Sequence, residues 1–405
     1  MKHIRGPCRS CELACSLGLC GAMNFSSILL IFVALFASSI SAELTIRLER
    51  RHGPNGTVDY SAEIQRAAAK YAHNAMVHFK NIGKHHQVVN GTKLQKRSGT
   101  GKVNLAQNDA WSGEINIGSP AQTLWVQFDT GSADLVLNHG VYNHEDSKTS
   151  KDLNKKFSMN YVGGPVSGSV YSDQVSVGGI KVKGVAVADD DSVLANMGGD
   201  QLDGILGLGF PRISGLSRSG VSEPTFIEAA KNQHALKKNL FQLTLRVNGG
   251  STLNVGKIDE SEVQGGLGWV GVNDSDGHWK TDVEINGLMT TGIVDSGTTL
   301  VIAPVDQYKK VLGNTDKLTI KKNENGEYNG YYNCDDPPVV KFKVAGKELQ
   351  MNQDTMSFER NGNQCRLAFV SIDGFNDWIY GAFFMATASV VFDVDNVRLG
   401  FGQQS

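Results

Sequence analysis

The stretch VQFDTGS at residues 126–132 decides the fold, because the chain repeats its outline as GIVDSGT at residues 292–298. In each copy an apolar run leads into Asp-Thr-Gly or Asp-Ser-Gly, and a second apolar run follows. The aspartates Asp129 and Asp295 stand 166 residues apart. Two equivalent copies predict two similar lobes, with a seam near residues 246–250.

A second short element follows each copy. It reads ILG at residues 205–207 and IYG at residues 379–381. From residue 105 onward the chain shows short alternating apolar runs broken by Gly, Asn and Asp, which is the pattern of strands and turns. Helical patterning is confined to residues 225–238 and 305–312, and long βαβ alternation is absent. The sequence therefore predicts a mostly β fold and disfavours an α/β fold.

The doubled motif has a chemical interpretation. One Asp-Thr-Gly element alone is equally well an ordinary turn after a strand, but two equivalent copies favour a paired site. If the two turns meet, Asp129 and Asp295 face each other and cannot both ionise easily, so they share one proton. The ionised carboxylate can activate a water molecule, and the protonated one can polarise a carbonyl. The pattern therefore indicates hydrolysis of an amide without a covalent enzyme intermediate.

Competing chemistries find little support. The motifs GxSxG and HExxH are absent, no Walker loop or GxGxxG dinucleotide fingerprint follows a strand, and a glycosidase would not require a doubled turn. The histidines have no metal-ligand spacing and are predicted to face solvent (His139, His144, His234 and His278). We therefore predict no metal and no cofactor. The net charge of −2 argues against a nucleic-acid partner.

The N-terminal region is predicted to be processed. Residues 1–42 contain the apolar run ILLIFVALFA followed by small residues, which fits a secretory signal peptide or, as the alternative, a signal anchor. Met23 is the alternative start. Residues 43–97 form a basic segment with 10 Lys and Arg against 4 Asp and Glu, whereas residues 98–405 hold 26 against 36. We interpret residues 43–97 as a prosegment with a helix from Tyr60 to Lys80, ending at the dibasic pair Lys96-Arg97 for a processing protease.

Two further features fit secretion. Beyond the signal region only Cys334 and Cys365 remain, which indicates one disulfide or, alternatively, two buried thiols. The sequon at Asn273 is a candidate for glycosylation, like those at Asn55 and Asn90.

Residues 98–405 resemble the pepsin-type aspartic proteases, in a fungal-like form. The resemblance rests on WSGEINIGSPAQTLWVQFDTGSADL at residues 111–135 and IVDSGTTLVIAP at residues 293–304. It implies a bilobal β fold with pseudo-two-fold symmetry, lobes at residues 98–248 and 249–405, and a cleft between them. It also implies Asp129 and Asp295 as the catalytic pair, supported by loop residues that hold them in place (Thr130, Gly131, Ser132, Ser296, Gly297 and Thr298).

The same resemblance assigns several other residues. It implies a flap that covers the substrate, with Tyr161 at its tyrosine position; as the alternative, Tyr161 is an ordinary strand aromatic. Gly163, Gly164 and Thr299 are assigned to substrate binding, and Cys334 is paired with Cys365. The prosegment is implied to act as an intramolecular inhibitor, with Lys80, or alternatively Lys70, nearest the aspartates.

The chain also departs from the family pattern. Val136 replaces a customary Trp, and the flap sequence YVGGP at residues 161–165 lacks the usual hydroxyl residues. These departures motivate a second hypothesis, a protease-like domain that binds peptides or glycans with weak or no turnover. The first hypothesis is a monomeric acid endopeptidase made as a zymogen, acting on extended polypeptides, and secreted or delivered to a vacuole or lysosome.

Overall fold

The computed structural model describes residues 44–51, 60–82, 110–161, 164–191, 202–324, 326–351 and 353–405. The predicted signal region with Met23, the pair Lys96-Arg97, Asn55, Asn90 and Gly163 lie outside these residues. All described residues belong to one unit, Ala42–Ser405. Among them no helix combines the length and the hydropathy required to cross a membrane.

The first sheet has 13 strands, in the order β11-β23-β22-β9-β10-β1-β2-β3-β8-β4-β7-β6-β5. Its bounds are β1 Leu44–Arg51, β2 Ala110–Ile117, β3 Gln122–Asp129, β4 Leu135–Leu137, β5 Lys151–Tyr161, β6 Gly164–Val177, β7 Ile180–Asp190, β8 Gly204–Gly207, β9 Leu240–Thr244, β10 Ser251–Val255, β11 Val263–Gly271, β22 Ala388–Asp393 and β23 Arg398–Gln404.

The second sheet has the order β15-β16-β20-β14-β21-β13-β12-β17-β18, and β19 pairs with β20. Its bounds are β12 Lys280–Ile285, β13 Leu288–Val294, β14 Val301–Pro304, β15 Thr319–Lys322, β16 Tyr328–Asn333, β17 Lys341–Val344, β18 Lys347–Gln350, β19 Ser357–Asn361, β20 Gln364–Ile372 and β21 Trp378–Tyr380. The mostly β class and the strand predictions are confirmed.

The helices of the described residues are few and mostly short. They are α1 Tyr60–Ile82, α2 Gly215–Arg218, α3 Phe226–Asn232, α4 Val305–Leu312, α5 Gln353–Met356 and α6 Ala382–Met385, with single 3-10 turns at His144–Asp146, Pro211–Ile213 and Glu260–Glu262. Helix α3 begins with a capping box between Thr225 and Glu228. It ends earlier than the predicted residue 238, and His234 two residues beyond it adopts a left-handed φ of 49°, a conformation that does not continue a right-handed helix.

The internal repeat is visible in the strand pairings. In the first copy β3 pairs in parallel with β8, β4 pairs antiparallel with β8, and β4 pairs in parallel with β7. In the second copy β13, β21, β14 and β20 repeat these three pairings in the same senses. The ILG and IYG elements are therefore the strands β8 and β21 that lie beside the two aspartate loops. This agreement gives the pseudo-two-fold architecture of the pepsin fold.

The N-terminal segment contributes a strand that the sequence interpretation missed. β1 pairs antiparallel with β10 through Leu44–Leu48 and with β2 through Glu49–Arg51. Its sequence LTIRLERR alternates apolar and polar residues, which is the ordinary signal of a half-buried strand. Leu48 is buried in the main core. The segment is therefore integrated into the main sheet and does not merely cover the surface.

Candidate active site

Two matching loops place Asp129 at the end of β3 and Asp295 immediately after β13. The Thr130 hydroxyl accepts from the backbone N–H of Ser296 at 2.9 Å, and the Ser296 hydroxyl accepts from the N–H of Thr130 at 3.0 Å. Each hydroxyl also donates to a carbonyl of the opposite loop, that of Val294 or Phe128. The two loops are therefore held together by four symmetric hydrogen bonds.

Each carboxylate is fixed by its own loop. Oδ1 of Asp129 accepts from the Gly131 N–H at 2.8 Å and Oδ2 accepts from the Ser132 hydroxyl at 2.6 Å. Asp295 receives the equivalent bonds from Gly297 N–H at 2.9 Å and the Thr298 hydroxyl at 2.5 Å. The repeated sequence motif therefore gives both carboxylates the same two kinds of hydrogen-bond donor, a glycine N–H and a side-chain hydroxyl.

The two loop glycines allow the carboxylates to approach each other. A Cβ added to Gly131 would lie 2.5 Å from Oδ1 of Asp295, and one added to Gly297 would lie 2.0 Å from Oδ1 of Asp129. These distances are below any van der Waals contact, so a side chain at either position would displace the opposite carboxylate. The two carboxyl groups lie close enough for each to affect the pKa of the other.

The environment shifts the pKa values of Asp129 and Asp295 in opposite directions. Asp129 is 2% exposed and Asp295 is fully buried. Burial raises the pKa of Asp129 above its ordinary value, and Asp295 adds to this while Lys70 opposes it. Burial also acts to raise the pKa of Asp295, but the Lys70 ammonium and hydrogen bonds from Asp129 and Thr298 lower it well below the usual range. The pair therefore favours one ionised and one protonated carboxyl.

Helix α1 contacts this pair directly. The ammonium of Lys70 lies 2.7 Å from Oδ2 of Asp295 and 3.2 Å from Oδ1 of Asp129. Burial acts to lower the pKa of Lys70, but the two carboxylates raise it above the ordinary lysine value. The Tyr71 hydroxyl donates to Oδ2 of Asp295 at 2.8 Å. Lys70 is therefore the lysine at the aspartates; Lys80 lies ten residues further along the helix, about 15 Å along its axis, and its side chain is outside the described residues.

The prediction that His278 faces solvent is wrong. His278 is fully buried, and its ring centroid lies 5.5 Å from that of Tyr71. Its Nε2 is 3.0 Å from Nδ2 of Asn74, which also donates to the Gly131 carbonyl at 2.9 Å. Residues 274–278 read as a polar turn, so no local signal reveals this burial. It arises because α1 packs over the loop.

The predicted flap is a hairpin of β5 and β6. Tyr161 pairs with Gly164 at its end, while Gly163 and the Tyr161 side chain lie outside the described residues. Val136, at the place of the customary Trp, is fully buried in a small cluster with Phe157 and Met159 of β5 and Leu216 of α2. An apolar core therefore supports the outer half of this hairpin, close to its turn.

The remaining predicted residues that the structure describes are Thr299, the two cysteines and Asn273. Thr299 is buried, and its carbonyl accepts from the Phe383 N–H. Cys334 and Cys365 form the disulfide, which is confirmed. Asn273 is exposed. Within the described ranges no group of three His, Cys, Asp or Glu residues has a metal-binding arrangement.

Two aspartate loops joined in this way, within a doubled β fold, define an aspartic endopeptidase of the pepsin type. The family description "Eukaryotic aspartyl protease" matches residues 110–404. The chain belongs to this family, and the family prediction is confirmed.

Three relatives show the range of similarity. The chain is 32% identical to secreted aspartyl protease 1 of Malassezia globosa, over 91% of this chain and 95% of the relative. It is 28% identical to a probable inactive secreted aspartyl protease of the same organism, over 82% and 89%. It is also 28% identical to penicillopepsin-1 of Talaromyces stipitatus, over 87% and 94%.

Proposed function

We propose that the chain is a secreted acid endopeptidase made as a zymogen, with Asp129 and Asp295 as its catalytic pair. The observation that carries this proposal is the pair itself. Both carboxylates are buried, each affects the pKa of the other, and equivalent donors hold both of them. A site of this kind holds one proton between two acids in an acidic medium.

The pair supports direct attack by water. One carboxylate takes a proton from the water as its oxygen attacks the carbonyl carbon of the substrate, while the other carboxyl donates its proton to the carbonyl oxygen. As the tetrahedral intermediate collapses and the C–N bond breaks, the carboxyl that took the water proton gives it to the amine nitrogen. The other carboxylate takes back a proton from a hydroxyl of the intermediate as the new carbonyl forms. The flap hairpin β5–β6 would cover the extended peptide and exclude solvent.

Residues 43–97 are proposed as the inhibitory prosegment. In support, Lys70 supplies a cation to both carboxylates, and Tyr71 occupies the space beside Asp295. A substrate carbonyl and its attacking water need this same space. Cleavage after Lys96-Arg97 would remove residues 43–97 and open the cleft. The mature protein would then consist of the lobes at residues 98–248 and 249–405. The secreted relatives support an extracellular location, and Asn273 is an accessible glycosylation candidate.

The second candidate function is peptide or glycan binding with weak or no turnover. The altered flap sequence and the likeness to a relative described as probably inactive favour it. The intact carboxylates and all four of their loop donors favour catalysis instead.

A digest separates the two functions. The processed wild-type protein should cleave haemoglobin at about pH 3–5, and a statine-type transition-state mimic should block cleavage. Asp295→Asn should lower the rate by about 10²- to 10⁴-fold, whereas Asp306→Asn, a change of an exposed helix residue, should not. A wild-type protein that binds the mimic and cleaves nothing would support the binding function.

A further inference from the structure

Asn74 is an unusual residue for the middle of a helix. Asparagine side chains compete with the helical backbone for hydrogen bonds, so they are weak helix formers. Asn74 nevertheless lies in the 23-residue α1 and is 3% exposed. Its buried position is explained by what its amide contacts in the cleft.

The Asn74 amide nitrogen serves two acceptors. It donates to the Gly131 carbonyl at 2.9 Å and approaches Nε2 of His278 at 3.0 Å. A primary amide nitrogen carries two hydrogens, one for each acceptor. This arrangement assigns the proton of neutral His278 to Nδ1, which faces Oδ1 of Asp276 at 3.6 Å. His278 therefore presents a hydrogen-bonding edge toward the cleft.

Beside this edge the Tyr71 ring of α1 fills a space next to two rings of the rest of the chain, those of His278 and Phe375. The Tyr71 ring lies 5.5 Å from the His278 ring and 5.9 Å from the Phe375 ring, measured between centroids. The Tyr71 hydroxyl reaches Asp295 at the same time. When α1 leaves, the space of the Tyr71 and Asn74 side chains becomes a small subsite beside His278, Phe375 and the Gly131 carbonyl, and it lies next to Asp295, which Tyr71 contacts in the full-length chain.

We propose that His278 is a specificity-determining residue that selects a carboxamide side chain, Asn or Gln, in the polypeptide substrate. The inference rests on the proposed endopeptidase function. The Asn74 amide shows the chemistry that the subsite accepts, and after α1 leaves, the substrate supplies the equivalent group. An amide carries both a donor and an acceptor, so it can pair with the ring nitrogen of His278 and with the Gly131 carbonyl.

A negatively charged side chain fits this subsite less well. A carboxylate would face the Gly131 carbonyl together with Asp276 and Asp295. An apolar side chain such as Leu would displace water from the His278 edge without replacing its hydrogen bond.

A position-scanning peptide library tests the inference. Wild type should prefer Asn or Gln over Leu by about tenfold in kcat/KM at one position near the scissile bond. His278→Phe, which keeps an aromatic ring, should bring that ratio close to one at that position and leave the preferences elsewhere unchanged. The matched control is His234→Asn, a change of an exposed histidine, which should keep the wild-type ratio.

The outcomes separate this inference from the proposed function. If wild type cleaves peptides and the statine-type mimic blocks it, yet no position prefers an amide, the subsite inference fails and the endopeptidase function stands. An unchanged ratio in His278→Phe also overturns the inference. If this variant does not bind the mimic and is therefore misfolded, His278→Leu replaces it with the same expected loss of the ratio. If wild type cleaves nothing, it is the proposed function that fails.

Discussion

The ammonium of Lys70 lies 2.7 Å from the carboxylate of Asp295, at a place where both side chains are almost inaccessible to solvent. Two buried carboxyls close together repel each other when both are charged, and a single cation between them reduces this repulsion. The contact explains how α1 is retained over a site that would otherwise disfavour two ionised aspartates at neutral pH.

Replacement of Lys70 should therefore release α1 from the carboxylates. Breaking a buried ion pair by removing one partner costs about 3–5 kcal/mol. We expect the full-length Lys70→Met protein to bind a statine-type mimic at neutral pH, where full-length wild type binds it weakly. Isothermal titration calorimetry measures this difference. The control is Lys80→Met, the sequence alternative, which should behave as wild type; equal weak binding by both variants would contradict the role of Lys70.

The protonation of His73 should make the packing of α1 depend on pH. This residue is 6% exposed, and its side chain lies near Met159 and Gly215. Burial, and to a smaller extent the positive charge of Arg218, lower the pKa of His73 to about 4. Asp134, which accepts from the Gly215 N–H, has its pKa raised to about 6 by burial, so it becomes neutral over the same range. Since a released histidine titrates near 6.5, the contribution of neutral His73 is complete above about pH 6.5 and is lost as the pH falls toward 4.

Full protonation of His73 should weaken the packing of α1 by about 3 kcal/mol. We expect mimic binding by the full-length protein to rise between about pH 6.5 and 4. His73→Phe, which stays uncharged, should move the midpoint of this rise to lower pH, and His234→Asn should not. A midpoint that is the same in all three proteins would exclude His73 as a source of the pH dependence.

Gly297 should not tolerate a side chain. A Cβ there would lie 2.0 Å from Oδ1 of Asp129, and a displacement of about 1 Å at a catalytic group can cost about 10²-fold in rate. Gly297→Ala should therefore lose at least this factor in kcat. Gly271→Ala is the matched control because no atom lies within 4 Å of its added Cβ; normal activity in Gly297→Ala would show that the loops can separate without consequence.

The disulfide should stabilise the C-terminal part of the chain. Cys334 and Cys365 are joined across 31 residues, between the end of β16 and β20. In the chain-entropy description this closure contributes about 3–4 kcal/mol. The double variant Cys334→Ala with Cys365→Ala should lower the free energy of unfolding by about this amount in urea titrations, while the carboxylate loops keep their mimic binding. An unchanged unfolding midpoint would contradict the expectation.

The sequence was informative where the signal is local or repeated. Alternating apolar residues and Gly-rich turns identify the strands, and the two Asp-Thr/Ser-Gly elements identify the site and the family. The residues that support these loops could be named because they follow the aspartates directly, as Gly131 and Thr298 do. Even the missed strand β1 carries a readable alternation.

The fold class, the doubled architecture and the identity of the two acids were determined by the amino-acid order alone, since strand pattern and turn chemistry act over a few neighbouring residues. The choice of Lys70, the role of Tyr71 and the burial of His278 were decided by tertiary structure. Those features depend on which face of α1 meets the loops, through contacts between residues 59 to 225 positions apart. Such contacts cannot be predicted from neighbouring residues, because the sequence around a lysine or a histidine does not indicate whether its side chain contacts water or a buried carboxylate.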